Sequence, residues 1–461
     1  MFVPFRRGRQ GVPRRRDAQT ICAKAGFLST LTKSGPASEV KSPRGLHPRE
    51  EKMGDKTPQN STPTSIMEVS AYDPEARDNP HPKLKRIRET SPVMRDEGLK
   101  TWFLSRYDDV RATVNDRTFD RHPKNAEPGS MMSLLVDPDD PEGRRSSILF
   151  QDDPDHARNR LPLVKAFYAR IKKMEPEIES LIDQVIDAAP ASGRFDLMEE
   201  IAVPLPIAII ARILGVDDSR LEEFRDWSEG VILGLNPARN EDETAYMLAS
   251  SEKLNAYFTE LMEQRRVSPK DDLISDMVQA QADGGAFDDE ELRINLQALL
   301  VGGNLTTTDL IGNGVWLLLT HPEQFAALKA DPSLSSQAVE EVLRYEAPVQ
   351  ATSRVVSENR DVAGCPMKKS QPVFMSLAAA NRDPAKFEAP QDFDITRKRA
   401  SHVSFGGGAH ICIGAPLARI EARRVFEKLF ERYPNMTLPK QEIVWRTLPF
   451  FRGIEQLDVE V

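Results

Sequence analysis

Residues 402–419 read HVSFGGGAHICIGAPLAR, and the rest of the chain is best read outward from them. Phe405, Gly406, Gly407, Gly408 and Ala409 make a glycine-dense loop, and the spacing predicts a helix from about Ile413. Cys412 falls at that junction, where a helix N-terminus offers free amide donors and positive potential. Such donors stabilise a thiolate, so a lowered thiol pKa is expected. Glycines ahead of the cysteine let the backbone pass close to a bulky flat ligand without side-chain clash. Three chemistries use such a cysteine: nucleophilic attack, redox exchange and metal ligation. Redox exchange lacks a second cysteine, since Cys22 and Cys365 lie far off in the chain. Nucleophilic catalysis needs a positioned histidine, and His410 is only two residues away in a loop. Ligation of a haem iron through one thiolate remains.

Upstream, Asp288 is placed to cap a helix and Glu291 completes a capping box. Apolar positions continue from Leu292 to Leu319, and His321-Pro322 closes the run. Some thirty residues at 1.5 Å rise span about 45 Å, enough to cross a domain. Apolar residues on nearly every side put this helix through the core. Its middle reads Gly302-Gly303-Asn304-Leu305-Thr306-Thr307, low in helix propensity where burial should be deepest. Two readings stay open for it: close helix packing on small residues, or a groove where a flat ligand or small molecule meets the backbone. Helical spacing also marks His156 to Met174, Met198 to Leu214, Ser219 to Leu233, Ala245 to Arg266 and Pro322 to Leu328. Thr101 to Leu104, Arg354 to Val356 and Pro372 to Ser376 read as strands. The expected fold is mainly α with small β-sheets, in one large domain.

Phe405-x-x-Gly408-x-x-x-Cys412-x-Gly414 resembles the haem-binding signature of the cytochrome P-450 family, F-x-x-G-x-x-x-C-x-G, without departure. Glu341-Val342-Leu343-Arg344 matches that family's E-x-x-R. Phe393-Asp394-Ile395-Thr396-Arg397 looks like the segment whose arginine completes the salt-bridge network, and Asn381-Arg382-Asp383-Pro384 like the loop before it. The long helix is similar to the family's oxygen-binding helix, and the resemblance covers about Ala71 to Val461. It implies a haem domain over 67–461, the cofactor heme b (iron protoporphyrin IX) and Cys412 as the metal ligand. A haem carries two propionates, and buried carboxylates need cationic or hydrogen-bonding partners. His156 and Arg160, four apart on one helix face, with Arg354 and His410, match positions that contact them in similar proteins. Gly302, Phe405, Gly406 and Gly414 are the further cofactor-binding expectations. Glu341, Arg344 and Arg397 hold the fold behind the thiolate.

The resemblance further implies a monooxygenase that inserts one atom of dioxygen into a hydrophobic organic substrate, with Thr306 as the catalytic residue positioning protons. Residues 120–147 and 226–250, Leu299, Ala351, Thr352, Phe450 and Phe451 should surround the pocket. Nothing resembles a flavin domain, a dinucleotide loop or an iron–sulfur cysteine set, so a separate ferredoxin or flavodoxin with its reductase is implied. Lys165, Arg170, Lys172, Lys173, Arg423 and Arg424 offer it a basic landing patch, the alternative being ordinary solvated helix faces. Leu305 is the clearest departure, since most similar enzymes place an acid there. That leaves proton delivery to Thr306, Asn304 and water. It also keeps a nitric-oxide-reducing enzyme in view, and a haem-dependent sensor is the reading from another class.

The 461 residues carry a net charge of -9, which argues against general nucleic-acid binding. Three separated cysteines build no disulfide framework and suit a reducing, cytoplasmic setting. No run reaches the roughly 18 apolar residues of a membrane span, so a soluble protein is expected. Residues 1–66 are Arg-rich and acid-poor, and Pro4, Gly8, Gly11 and Pro13 oppose a transit-peptide helix. They read as a disordered extension or a mis-assigned start.

Overall fold

The computed structural model of the protein describes residues 62–136, 140, 143, 145–236, 239–283, 287–398 and 401–461. The reading of residues 1–66 falls almost wholly outside them. Its end point is corrected: Ile66 is fully buried in one core cluster with Leu84, Ile87 and Phe103. Ser65 and Glu68 close a capping box on the short helix Ile66–Val69. The packed chain therefore starts before residue 67.

The helices that frame the site are α1 (Tyr107–Asn115), α2 (Asp155–Ala188), α3 (Leu221–Ile232), α4 (Glu241–Val267), α5 (Asp289–Thr320), α6 (Ser335–Tyr345) and α7 (Ala415–Arg432). At the start of α5, Asp288 accepts from the Glu291 amide at 2.8 Å while Glu291 accepts from the Asp288 amide at 3.0 Å. Two orphan donors are thus satisfied by one pair. Asp309, Ile311, Asn313, Val315 and Leu317 are all fully buried on different sides of α5, so it runs through the core. Helix α2 overshoots the predicted Met174 because Ile178, Ile182, Val185 and Ile186 extend its apolar stripe, buried in the same cluster as Val425, Phe426 and Leu429 of α7. The predicted helix over 198–214 is instead two pieces, a π turn at Met198–Ala202 and a helix at Pro204–Leu214. Pro204 has no amide hydrogen with which to continue the first into the second.

Five strands form the main sheet: β1 (Val93–Asp96), β2 (Thr101–Leu104), β3 (Phe119–Asp120), β4 (Ala351–Val356) and β5 (Pro372–Ser376), in the order β1-β2-β5-β4-β3. β2 and β5 run parallel and the other pairs antiparallel. The β3–β4 register pairs Phe119 with Val356 and Asp120 with Val355. Continued by one residue, it sets Arg121 beside Arg354. A small hairpin, β6 (Val444–Trp445) and β7 (Ile454–Gln456), lies near the C-terminus. Cys365 opens a short strand, Cys365–Met367.

Among the described residues, no helix is long and apolar enough to cross a membrane.

Candidate functional site

Cys412 stands two residues before the first turn of α7, whose N-cap is Gly414. Its amide donates to the Phe405 carbonyl at 2.9 Å, closing the loop on itself. Gly408 has φ +62°, and a Cβ there would fall 2.6 Å from the Val114 carbonyl. The Gly408 amide meets the Asn115 side chain at 2.9 Å. Gly407 and Gly408 thus let the loop seat closely on the end of α1. Phe405 packs beneath the Arg419 guanidinium, 4.6 Å from its ring, and Gly406 turns the loop with φ +70°.

Behind the loop lies a buried network. Arg344 donates to both oxygens of Glu341, at 2.8 and 2.6 Å, and to the carbonyls of Asn381, Pro390 and Asp392. Arg397 joins Glu341 at 3.2 Å. Asn381 then donates to Ser404 at 2.8 Å and accepts from the Val403 amide at the same distance. The ion pair therefore fixes the loop that carries the cysteine. A surface depression of about 550 Å³ lined by His321, Gln324, Asp392 and Arg397 backs onto this network and holds none of the candidate reactive groups.

The thiol itself departs from expectation. Burial pushes its pKa above the ordinary value; the amides of Gly414 and Ala415 and the charges of Arg160 and Arg419 only partly oppose that. Protein surrounds the sulfur, yet Cys412 is exposed. Both facts hold if the thiol lies on the floor of a hollow. Desolvation there outweighs the helix donors until a cation arrives, and a coordinating thiol is deprotonated outright.

Four predicted residues and one unpredicted one gather beside it. His156 and His410 stack at 4.0 Å between ring centroids. The Nε2 of His156 is buried and has no hydrogen-bond partner among the described residues. Arg160 donates to the carbonyl of Ile411, next to the cysteine. Arg354 donates to the carbonyls of Ser353 at 2.8 Å and Val114 at 3.2 Å. Arg121, absent from the sequence reading, donates to the same Ser353 carbonyl at 2.6 Å, to the Ser353 hydroxyl at 2.7 Å and to the Leu149 carbonyl. Two buried guanidinium groups thus share one carbonyl oxygen. Neither forms an ion pair among the described residues. Burial, then repulsion from Arg354, brings Arg121 down to about 9, and burial brings Arg354 to about 10. Burial first, then His156, Arg354, Arg121 and Arg160, drive His410 down to about 2. Asp152 offsets part of this positive charge, and the remainder is costly unless an anion accompanies it.

On α5, every residue from 299 to 315 is buried except Val301, Gly302, Gly303 and Thr306. A Cβ added at Gly302 or Gly303 would meet nothing within 4 Å. Of the two readings of this segment, the groove is the one observed. Thr306 donates to the Gly302 carbonyl at 2.8 Å. Asn304 is buried and lies roughly 160° round the helix from Thr306, so it does not share its face, contrary to expectation. Leu305 is buried as well.

The basic patch also shrinks. Arg170 is buried and bound to Asp271 and Asp276, and Lys173 meets Asp271 at 2.6 Å. Arg423 pairs with Glu179 and Glu427, and Arg424 with Asp183. Among these six, only Lys165 and Lys172 are exposed without a described ion pair.

Comparison with known proteins agrees with this geometry. The family description "Cytochrome P450" matches residues 100–449. The chain is 37% identical over 413 residues to "Cytochrome P450 107B1" of Saccharopolyspora erythraea, covering 86% of this chain and 99% of that protein. It is 36% identical over 389 residues to the vitamin D(3) 25-hydroxylase of Pseudonocardia autotrophica, covering 83% and 93%. The crystal structure of CYP109E1 from Bacillus megaterium in complex with corticosterone superposes with a TM-score of 0.74 at 33% identity, covering 84% and 99%.

Proposed function

The chain belongs to the cytochrome P-450 family, and from that premise we propose that Cys412 would ligate the haem iron and that Arg121, His156, Arg160, Arg354 and His410 would receive the propionates. The enzyme is a haem-thiolate monooxygenase whose cofactor is heme b and whose substrate is a hydrophobic organic molecule. Haem, when bound, supplies the iron at which dioxygen is reductively activated. One oxygen atom enters a C–H or C=C bond; the other leaves as water with two protons and two electrons.

The observation that carries the assignment is a cationic cluster whose two buried arginines, Arg121 and Arg354, have no ion-pair partner among the described residues, set beside the exposed Cys412. Two propionates would neutralise Arg121 and Arg354, and the free Nε2 of His156 would find an acceptor. The glycine opening on α5 leaves room for a flat ring, with no side chain at 302 or 303 to fill it. Gly302, Gly406 and Gly414 then line or shape the cofactor site, and Phe405 supports it from behind. Thr306 orients protons through a hydroxyl that both donates and accepts.

Electrons come from a separate redox protein, which we take to be a ferredoxin or flavodoxin in the cytoplasm. Exposed Lys165 and Lys172, with the neighbouring apolar side chains Leu161 and Ile411, support a contact smaller and less basic than the sequence implied. For the substrate we favour a terpene, steroid or aromatic compound. Leu299, Ala351, Thr352, Phe450 and Phe451 support this, as do the relatives that act on or bind such molecules. Phe450 holds φ +63° and packs on Phe374, 5.1 Å between centroids, a strained position of the kind found at binding sites.

A spectral screen tests the reading. The purified chain should take up haem one to one, and a library of these compounds should shift its absorbance by displacing water at the iron. Absence of haem uptake would end the proposal; shifts caused only by small polar nitrogen ligands would end the substrate assignment.

A further inference from the structure

Leu305 leaves the proton supply beside Thr306 unassigned, and one buried carboxyl on the same helix has no role so far. Gly302, Thr306, Asp309 and Asn313 follow one another at spacings of four, three and four, which makes them one stripe along α5. Residues three apart on a helix have Cβ atoms about 5–6 Å from each other, so Asp309 is a neighbour of Thr306. Leu305 lies about 100° round the helix from Thr306 and about 40° from Asp309.

Asp309 is fully buried. One of its oxygens accepts from Arg446 at 2.9 Å; the other has no partner among the described residues. One step along the stripe, the Asn313 amide donates to the carbonyls of Arg452 at 2.9 Å and Glu346 at 3.3 Å, and the Asn313 oxygen is likewise unpartnered. So are the Nε of Arg446 and the hydroxyl of Thr308. The hairpin β6–β7 seats directly on the carboxyl: a Cβ at Gly453 would fall 1.9 Å from the Asp309 oxygen, so only glycine fits there. A buried polar group left without a partner is costly. The free carboxyl oxygen and the unpartnered groups of Asn313 and Arg446 suit water, which needs two to four polar partners.

We propose that Asp309 is the proton-positioning residue of this enzyme, standing in for the acid that Leu305 replaces and acting through water on the Thr306 hydroxyl. The inference rests on the reading of Thr306 given above. The protonated carboxyl gives its proton to a water next to Thr306, and the carboxylate is reprotonated from solvent past Arg446, whose side chain is a quarter exposed. The protons moved are those that the reaction consumes along with its two electrons. Burial raises the carboxyl above its ordinary pKa against the pull of Arg446, which favours uptake of a proton. The other charged groups here, Arg452 and Glu346, are paired with each other at 2.6 Å, and His81 and Arg382 also face Glu346.

The test uses holoenzyme without added substrate, reduced by a photoreduced flavin in air, and follows the ratio of peroxide to water formed per electron consumed. Asp309→Asn keeps the shape and removes the titration. It should slow water formation by about ten-fold or more, since a positioned acid contributes roughly 10²–10⁴ and solvent replaces only part of that. Leu305→Asp in the same chain should restore it. In the infrared, wild-type holoenzyme should show an exchangeable protonated-carboxyl band that Asp309→Asn deletes. An unchanged ratio in Asp309→Asn, while Thr306→Ala raises peroxide, overturns the proposal and leaves the Thr306 reading intact. An unchanged ratio in both overturns the two together. Should Asp309→Asn fail to hold haem, Arg446→Gln decides. Loss of the cation keeps the carboxyl protonated to higher pH, so the pH at which the ratio changes moves up if Asp309 relays protons, and stays put if the pair only holds the hairpin.

Discussion

On the cysteine side of the haem site, the Arg344 guanidinium makes five hydrogen bonds, to Glu341, Asn381, Pro390 and Asp392, and both members of the ion pair are buried. On the α5 side, Thr308, Asp309 and Asn313 each keep a buried oxygen without a partner among the described residues. The first side is a closed network, and closed networks are rigid and hold one geometry. The second offers polar atoms to water in a place where protons must move. A thiolate ligand needs a fixed position; a proton route needs groups that can exchange partners. The difference in hydrogen-bond satisfaction follows that difference in task.

The comparison breaks first at its centre. Cys412→His should abolish the red-shifted Soret band of the reduced carbon-monoxide complex and with it turnover, whereas Cys365→Ala should keep both. A histidine variant that kept the band would remove Cys412 from the site.

The next largest effect belongs to the closed side. Arg344→Leu leaves Glu341 buried beside Arg397 alone and should cost about 3–5 kcal/mol in chemical denaturation, with loss of haem occupancy. A change under about 1 kcal/mol would mean that the network does not hold the cysteine loop.

Arg121 sharpens the comparison by a change of sign. In the haem-free chain Arg121→Gln removes a repulsion with Arg354 and should stabilise. In the holoenzyme it removes a charge-assisted bond of about 1.5–3 kcal/mol and should speed haem transfer to an acceptor protein by about ten- to hundred-fold. The same sign in both forms would show that Arg121 does not meet the propionates.

The smallest effect is expected at Thr308. Thr308→Val deletes a hydroxyl that has no protein partner, so stability should stay within about 0.5 kcal/mol, in contrast to Arg344→Leu. A loss of several kcal/mol would reveal a hidden bond and erase the contrast between the two sides.

Much of this was legible beforehand where the signal is local. The capping box at Asp288 and Glu291, the apolar run of α5, the glycine loop and Cys412 each lie within a few turns of chain, and sterics or amide geometry ties each pattern to one conformation. His156 and Arg160 could be placed together because a spacing of four puts them on one helix face. Even so, one contact of Gly407 and Gly408 is not local. What they approach is the end of α1, nearly 300 residues earlier in the chain.

By itself, then, the sequence determined the fold class and the long helix, and it pointed to Cys412 and most of the cationic set. Tertiary structure alone decided that Arg121 joins that set, since its partner Ser353 lies 232 residues away across the β3–β4 pairing. It also decided that the thiol pKa rises, because burial is a property of the packed chain and outweighs the local helix donors. Packing of α2 and α7 against distant acids neutralised four of six expected surface cations. Asp309 met Arg446 only because a C-terminal hairpin folds back onto α5, 137 residues along the chain. Local pattern fixes which conformations a segment can take. Which charges end up buried together depends on contacts between segments that no local pattern records.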